Sequence, residues 1–255
     1  MGFCTNPLAA YPVYTTYDDI EIGFLKFLIA LLYFFMMFVT IGWVKLNEKR
    51  AREEYSPRAV SSVIFPPYVS ILWVSALSNA YIGVLFMFIP VRINGSDSDA
   101  SEYLYPIAWS IQHFVIEGIA FMFMQKGCGI GAARRAVWCA LLWAGVTYFL
   151  MQLWYSTTDI ASITFHLIWS GFMLVFFGCL WLLPENKLYR RPVAVWYAKF
   201  WFIFRIGAVI TFAFGESGIE ALEKIGACGY AFGPLMLFPI IQPYICYRAL
   251  LEDSL

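Results

Sequence analysis

Seven long apolar stretches follow one another along this chain, and short polar connectors separate them. A helix needs about 20 largely apolar residues to cross roughly 30 Å of hydrocarbon, and each stretch is long enough to do so. None of them alternates apolar and polar residues with the period of two that is typical of a transmembrane β-strand. We therefore predict an all-α membrane protein, a seven-transmembrane helix bundle. The predicted spans cover residues 23–44, 65–89, 104–124, 136–154, 160–183, 193–214 and 227–247.

The composition agrees with this pattern, because 61% of the residues are hydrophobic and only 13% are charged. A soluble domain of 255 residues could not bury so much apolar surface, whereas a bilayer can cover it. The predicted organisation has three parts: an extracellular tail at 1–22, the membrane domain at 23–247 and a cytoplasmic juxtamembrane tail at 248–255.

The distribution of Lys and Arg predicts the orientation, because basic residues accumulate on the cytoplasmic side. This places the N-terminus outside and the C-terminus in the cytoplasm, and we expect the plasma membrane of a eukaryotic cell. The opposite side is acidic, either because of this sorting alone or because it attracts cations or a basic ligand. The basic residues of the predicted cytoplasmic side are Lys45, Lys49, Arg50, Arg52, Arg58, Lys126, Arg134, Arg135, Lys187, Arg190, Arg191 and Arg248.

Two features of the predicted outer side concern covalent modification. Asn94 begins an Asn-Gly-Ser triplet, which is an acceptor sequence for glycosylation. Cys4 and Cys228 are the two cysteines expected on the oxidising side. They form either a disulfide that ties the tail to the bundle or two unpaired thiols.

Charged residues within the spans are the first candidates for function, because they are costly in hydrocarbon and usually pair inside a bundle. Glu117 lies in span three, and Lys199 and Arg205 lie in span six. His113 precedes Glu117 by one helical turn and Trp109 precedes His113 by another, so the three share one face.

Depth along the helices predicts how these groups pair, at about 1.5 Å per residue. Glu117 and Lys199 fall at similar depths, as do His113 and Arg205, so we expect a Glu117–Lys199 ion pair and Arg205 near His113. Three roles are open for this cluster. It stabilises the contact between helices through hydrogen bonds, or it acts as a switch or ligand counter-ion, or its basic residues extend separately to the membrane interface. On the switch hypothesis, Glu117→Gln or Lys199→Met raises basal signalling.

Further polar and helix-breaking residues accompany this cluster. His166 forms a polar stripe on span five with Ser162 and Ser170, at spacings of four. Asn79 lies one turn after Ser75 on span two, where both would face the same interior. Span seven either lines a cavity or hinges, or is merely a bent packing helix. The hinge candidates in span seven are Gly233, Pro234, Pro239 and Pro243.

The order and ends of the spans resemble those of G-protein-coupled receptors, and one motif adds to the likeness. Residues Gln242 to Tyr247 are similar to the Asn-Pro-x-x-Tyr signature that ends helix seven in that family. Gln242 replaces its Asn, Cys246 stands in the Tyr position, and Tyr247 follows one residue later. Met124-Gln125-Lys126 occupies the place of the family's Asp-Arg-Tyr triplet, and span six lacks Cys-Trp-x-Pro. The resemblance implies a seven-helix receptor.

Other classes are less well supported by the residues. Retinal proteins share the helix count, but their chromophore needs a lysine in helix seven, and residues 227–247 contain none. The two histidines lie on different spans with no cysteine nearby, so we predict neither a metal site nor a cofactor. We find no paired-carboxylate site, nucleophile elbow or phosphate-binding loop in the sequence, so an enzyme is the least supported class. Intramembrane lipid chemistry stays open, because such sites can rest on scattered His and acidic groups.

Three functions therefore stay open. The first is a receptor-like sensor that transmits an external or intramembrane ligand signal to a cytosolic partner at the basic connectors. The second is a small channel or transporter with a polar pathway past helices three, six and seven. The third is a structural accessory subunit of a larger membrane complex. Membrane lipids are expected partners, as is a homo-oligomer or larger assembly, whereas nucleic acid is not.

Overall fold

Every regular element in the described part of the chain is an α-helix. The computed structural model describes residues 19–53, 63–88, 99–125, 129–157, 162–182, 192–215 and 237–254, with a few single positions between 217 and 225. The helices in these ranges are α1 (Asp19–Arg52), α2 (Pro66–Phe88), α3 (Asp99–Phe123), α4 (Ile130–Thr157), α5 (Ser162–Leu182), α6 (Pro192–Gly215) and α7 (Phe238–Ser254).

Within the described residues, five helices are long and apolar enough to cross a membrane. They are α1, α2, α3, α4 and α6. Helix α5 contributes a shorter apolar segment, Leu167–Leu182, and α7 is 17 residues long. The all-helical class is therefore confirmed, whereas the seven-span arrangement and the orientation stay predictions.

Helices α1 and α7 continue furthest beyond the ends that hydropathy predicted. Helix α1 runs to Arg52 instead of 44, and a Lys45–Glu48 ion pair of 3.0 Å lies in this extension. Basic residues in its last turn interact favourably with the negative end of the helix dipole. Helix α7 runs to Ser254, so the expected tail continues the helix and carries an Arg248–Glu252 ion pair of 2.9 Å. Hydropathy locates the end of the apolar part and not the end of the helix.

The helices pack as three antiparallel pairs, α1 with α2, α3 with α4 and α5 with α6, and α7 contacts α1, α2, α3 and α6. Glycines allow close approach in two pairs. A Cβ atom at Gly83 would lie 3.2 Å from the Phe34 ring, and one at Gly178 would lie 3.2 Å from the Phe202 ring. Small residues at such positions bring helices together where no water drives their association.

Helix α3 is the central helix and α4 is peripheral. In their most apolar windows, 67% of α3 is buried but only 22% of α4. Trp138, Leu142 and Phe149 are exposed along one face of α4. Hydrocarbon covers such a continuous apolar face, whereas water would not tolerate it. Side chains of α3 therefore occupy the interior of the bundle.

Candidate functional site

A hydrogen-bonded histidine and carboxylate lie in the centre of the bundle on α3. The Nδ1 atom of His113 is 2.7 Å from Oε1 of Glu117, one helical turn away. His113 is 2% exposed and Glu117 is 0% exposed. A carboxylate in this environment requires compensation by hydrogen bonds or an opposite charge.

Arg205 of α6 reaches the other side of the same imidazole. Its Nη2 atom is 3.4 Å from Nε2 of His113, and the residue is only 4% exposed. A guanidinium can only donate hydrogen bonds, so the Nε2 atom that it faces must accept. The single ring proton of neutral His113 is then on Nδ1 and is donated to Glu117. The predicted proximity of Arg205 and His113 is confirmed.

A stripe of three residues on α6 faces α3. Tyr197, Trp201 and Arg205 are spaced by four residues and are all buried, and this spacing places them on one face. The Tyr197 hydroxyl donates to the Ile116 carbonyl of α3 over 3.0 Å. Among the described residues, the α3–α6 contact therefore has two polar links, about 12 Å apart along α6.

The predicted ion pair between Glu117 and Lys199 is wrong. Lys199 is exposed, and its Nζ lies 5.8 Å from the centroid of the Trp181 ring. It follows Tyr197 by two residues, a rotation of about 200°, so it points away from α3. Depth alone suggested the pair, but the rotation of α6 excludes it.

Several buried polar atoms in this region have no hydrogen-bond partner within the described part of the chain. They include Oε2 of Glu117, Nε of Arg205, the hydroxyl oxygens of Ser110 and Ser170, and the indole nitrogens of Trp169 and Trp201. Ser110 precedes His113 by one turn, and Ser170 is next to Trp169, whose ring contacts His113. Buried polar groups almost always have partners in folded proteins. The cluster therefore has both donor and acceptor capacity for a small polar guest.

Aromatic rings close the cluster on two sides. The Trp109 ring centroid is 4.9 Å from that of His113, as their spacing on α3 predicted. Trp169 of α5 meets His113 edge-on at 5.9 Å and stacks on Phe165 at 6.2 Å. These rings separate the charged groups from lipid and fix the orientation of the imidazole.

A second polar chain connects α2 and α7. Ser75 of α2 donates to Oε1 of Gln242 over 3.0 Å, and Nε2 of Gln242 lies 3.6 Å from the Cys246 sulfur. Gln242 and Cys246, two residues of the receptor-like motif, therefore face the interior, whereas Tyr244 faces outward.

The remaining predicted residues have different outcomes. Asn79 is buried, as expected, and its Nδ2 finds no partner among the described residues. Pro239 falls in the first turn of α7, where the missing N–H costs nothing, and Pro243 lies inside the helix. His166 belongs to α5, but its side chain is not described. Outside the described residues lie Gly233, Pro234, Cys4, Cys228 and Asn94.

Sequence reasoning missed Tyr197, Trp201 and Trp169 as parts of the site. Tyr197 and Trp201 could have been found by counting back in steps of four from Arg205 along α6. Trp169 offered no such signal, since its role depends on how α5 packs against α3.

No family model, curated protein or solved structure matches this chain.

Proposed function

We propose that this chain is a seven-transmembrane sensor in which the buried contact between α3 and α6 holds one conformation. Glu117, His113 and Arg205 carry this proposal, because together they place a nearly electroneutral charged cluster across the central helix contact. When a ligand or a proton binds one of these groups, the bonds between that group and the other two become weaker. Helices α3 and α6 then separate, as packed helices do in known switching proteins.

The geometry of His113 makes the contact sensitive to a single proton. Neutral His113 accepts from Arg205 and donates to Glu117. A second ring proton would leave Nε2 as a donor facing another donor, and would place two positive charges beside each other. Protonation of Glu117 would remove the charge that compensates Arg205. Either event weakens the α3–α6 contact.

A cytosolic partner would detect such a movement at the inner end of the bundle. On the predicted orientation, α6 begins there, and the exposed Arg134 and Arg135 lie near the start of α4 in the same predicted cytoplasmic layer. A cytosolic partner with an acidic surface would meet these residues. We place this arrangement in the plasma membrane, with the N-terminus outside.

A double electron–electron resonance (DEER) measurement in nanodiscs tests this function. After replacement of the six native cysteines, spin labels at Ile130→Cys on α4 and Lys199→Cys on α6 report the separation of the helices. Both positions are exposed, and α4 packs along α3. Glu117→Gln and Arg205→Met are expected to add a second, longer distance population.

A label pair at Leu46→Cys and Ile130→Cys, on α1 and α4, is the control and is expected to keep its distance. If Glu117→Gln and Arg205→Met lower thermal stability but leave one unchanged α4–α6 distance, the cluster is structural glue and the sensor proposal fails.

Permeation is the competing function, and proteoliposome flux separates it from sensing. The polar side chains of the cluster are buried, and Trp109 and Trp169 cover His113. We therefore expect no ion flux from the purified wild-type protein. A current through the wild-type protein that disappears in Arg205→Met would contradict the sensor proposal and show that the protein is a channel.

A further inference from the structure

Helices α6 and α7 enclose a cleft at their predicted cytoplasmic ends. Its volume is about 420 Å³, within the roughly 300–1,000 Å³ of small-molecule sites. The cleft is lined by Pro192, Val193, Trp196, Tyr244, Arg248 and Glu252.

The polar lining of this cleft consists of one basic and one acidic residue. Arg248 and Glu252 are one turn apart on α7, and their Nη2 and Oε1 atoms are 2.9 Å apart. Both side chains are partly exposed, so each keeps hydrogen-bonding capacity for a second ion. A ligand with one negative and one positive group matches this pair without leaving an excess of either charge.

Two aromatic residues complete the lining. Trp196 is 39% exposed and Tyr244 is 49% exposed, and they come from different helices. The Tyr244 ring is supported by Trp43 at 6.2 Å. Faces of Trp and Tyr attract cations, and quaternary ammonium groups are the ligands most often recognised in this way.

We propose that this cleft binds the phosphocholine headgroup of a membrane phospholipid. Arg248 binds the phosphate, and the trimethylammonium group lies against Trp196 and Tyr244 with Glu252 as its counter-charge. The inference requires α6 and α7 to lie in a bilayer, but it does not depend on the α3–α6 switch.

The depth of the cleft fits a lipid headgroup. Arg248 follows the predicted end of span seven, so its guanidinium is at the level of the phosphates. Trp196 lies in the second turn of α6, close to the same predicted membrane surface.

Native mass spectrometry of the full chain in detergent tests the site. The protein is titrated in parallel with dioleoyl phosphatidylcholine, phosphatidylethanolamine and phosphatidylglycerol. We expect the first phosphatidylcholine to bind about tenfold more tightly than either of the others. Trp196→Leu and Arg248→Gln are each expected to weaken it by about tenfold, and Trp196→Phe to retain most of the affinity.

Lys45→Gln is the matched control. Lys45 also forms an exposed ion pair, with Glu48, and lies near a tryptophan ring, but it is outside the cleft. Its replacement is expected to leave phosphatidylcholine binding unchanged. The proposal is overturned if phosphatidylglycerol binds as tightly as phosphatidylcholine, or if the Trp196→Leu and Arg248→Gln variants, with wild-type helicity, bind phosphatidylcholine as the wild type does.

Discussion

The Nε2 atom of His113 lies 3.4 Å from Nη2 of Arg205, and this contact joins the central helix α3 to α6. Because Nδ1 of the same ring is 2.7 Å from Glu117, one imidazole connects a guanidinium with a carboxylate. Two charges that would be unstable alone in the bundle are thereby compensated without direct contact. Removal of any member changes the environment of the other two.

Arg205→Met is expected to destabilise the protein by about 3 kcal/mol or more, because it leaves the buried Glu117 carboxylate without its counter-charge. The free energy of unfolding can be measured in mixed micelles as SDS is titrated.

Lys199→Met is the matched control, since it removes a cation from the same helix at an exposed position. We expect its effect to stay within about 0.5 kcal/mol. If Arg205→Met and Lys199→Met lower the free energy of unfolding equally, Arg205 does not contribute specifically to the α3–α6 contact.

A double-mutant cycle measures the coupling between Glu117 and Arg205. Glu117→Gln alone leaves Arg205 uncompensated, whereas the double variant with Arg205→Met removes both charges. We expect the double variant to lose about 1–3 kcal/mol less than the sum of the single losses. Additive losses would mean that the two groups are energetically independent, contrary to the geometry around His113.

Tyr197→Phe tests the inner link between α3 and α6. The substitution removes the hydroxyl that donates to the Ile116 carbonyl, and because this carbonyl keeps its partner within the helix, we expect the loss of one hydrogen bond, about 1 kcal/mol. Tyr244→Phe is the control, because Tyr244 is exposed. A loss of stability in Tyr244→Phe but not in Tyr197→Phe would contradict this assignment.

Gln242→Asn tests whether the receptor-like motif functions here as it stands. The shorter side chain draws the amide away from Ser75 and Cys246, so we expect a loss of about 1 kcal/mol. Ser75→Ala should then have little further effect in the Gln242→Asn background. A more stable Gln242→Asn variant would show that Gln242 is not adapted to these partners.

The sequence predicted the helices well because hydropathy and length determine which segments fit a bilayer. All seven described helices overlap predicted spans, and the shared face of Trp109, His113 and Glu117 on α3 followed from spacing alone. Their ends were less predictable. Charged residues such as Lys45 and Glu48 continue α1 outside the apolar segment, where hydropathy carries no information about helicity.

The site was predicted only in part, because depth along a helix is one coordinate and rotation is another. Equal depth correctly brought His113 and Arg205 together, but it also paired Glu117 with Lys199, which lies on the opposite side of α6. The contact of Trp169 with His113 depends on packing between α3 and α5. No local pattern in the sequence encodes that packing.

The protonation state of His113 is the most direct measure of the proposed contact. The chain contains two histidines, so nitrogen NMR of protein labelled with ¹⁵N-histidine in nanodiscs gives two ring systems, and His113→Asn assigns them. We expect His113 near neutral pH to carry its single ring proton on Nδ1, with Nε2 unprotonated. A His113 with its proton on Nε2, or on both nitrogens, cannot accept from Arg205 and would contradict the proposed contact.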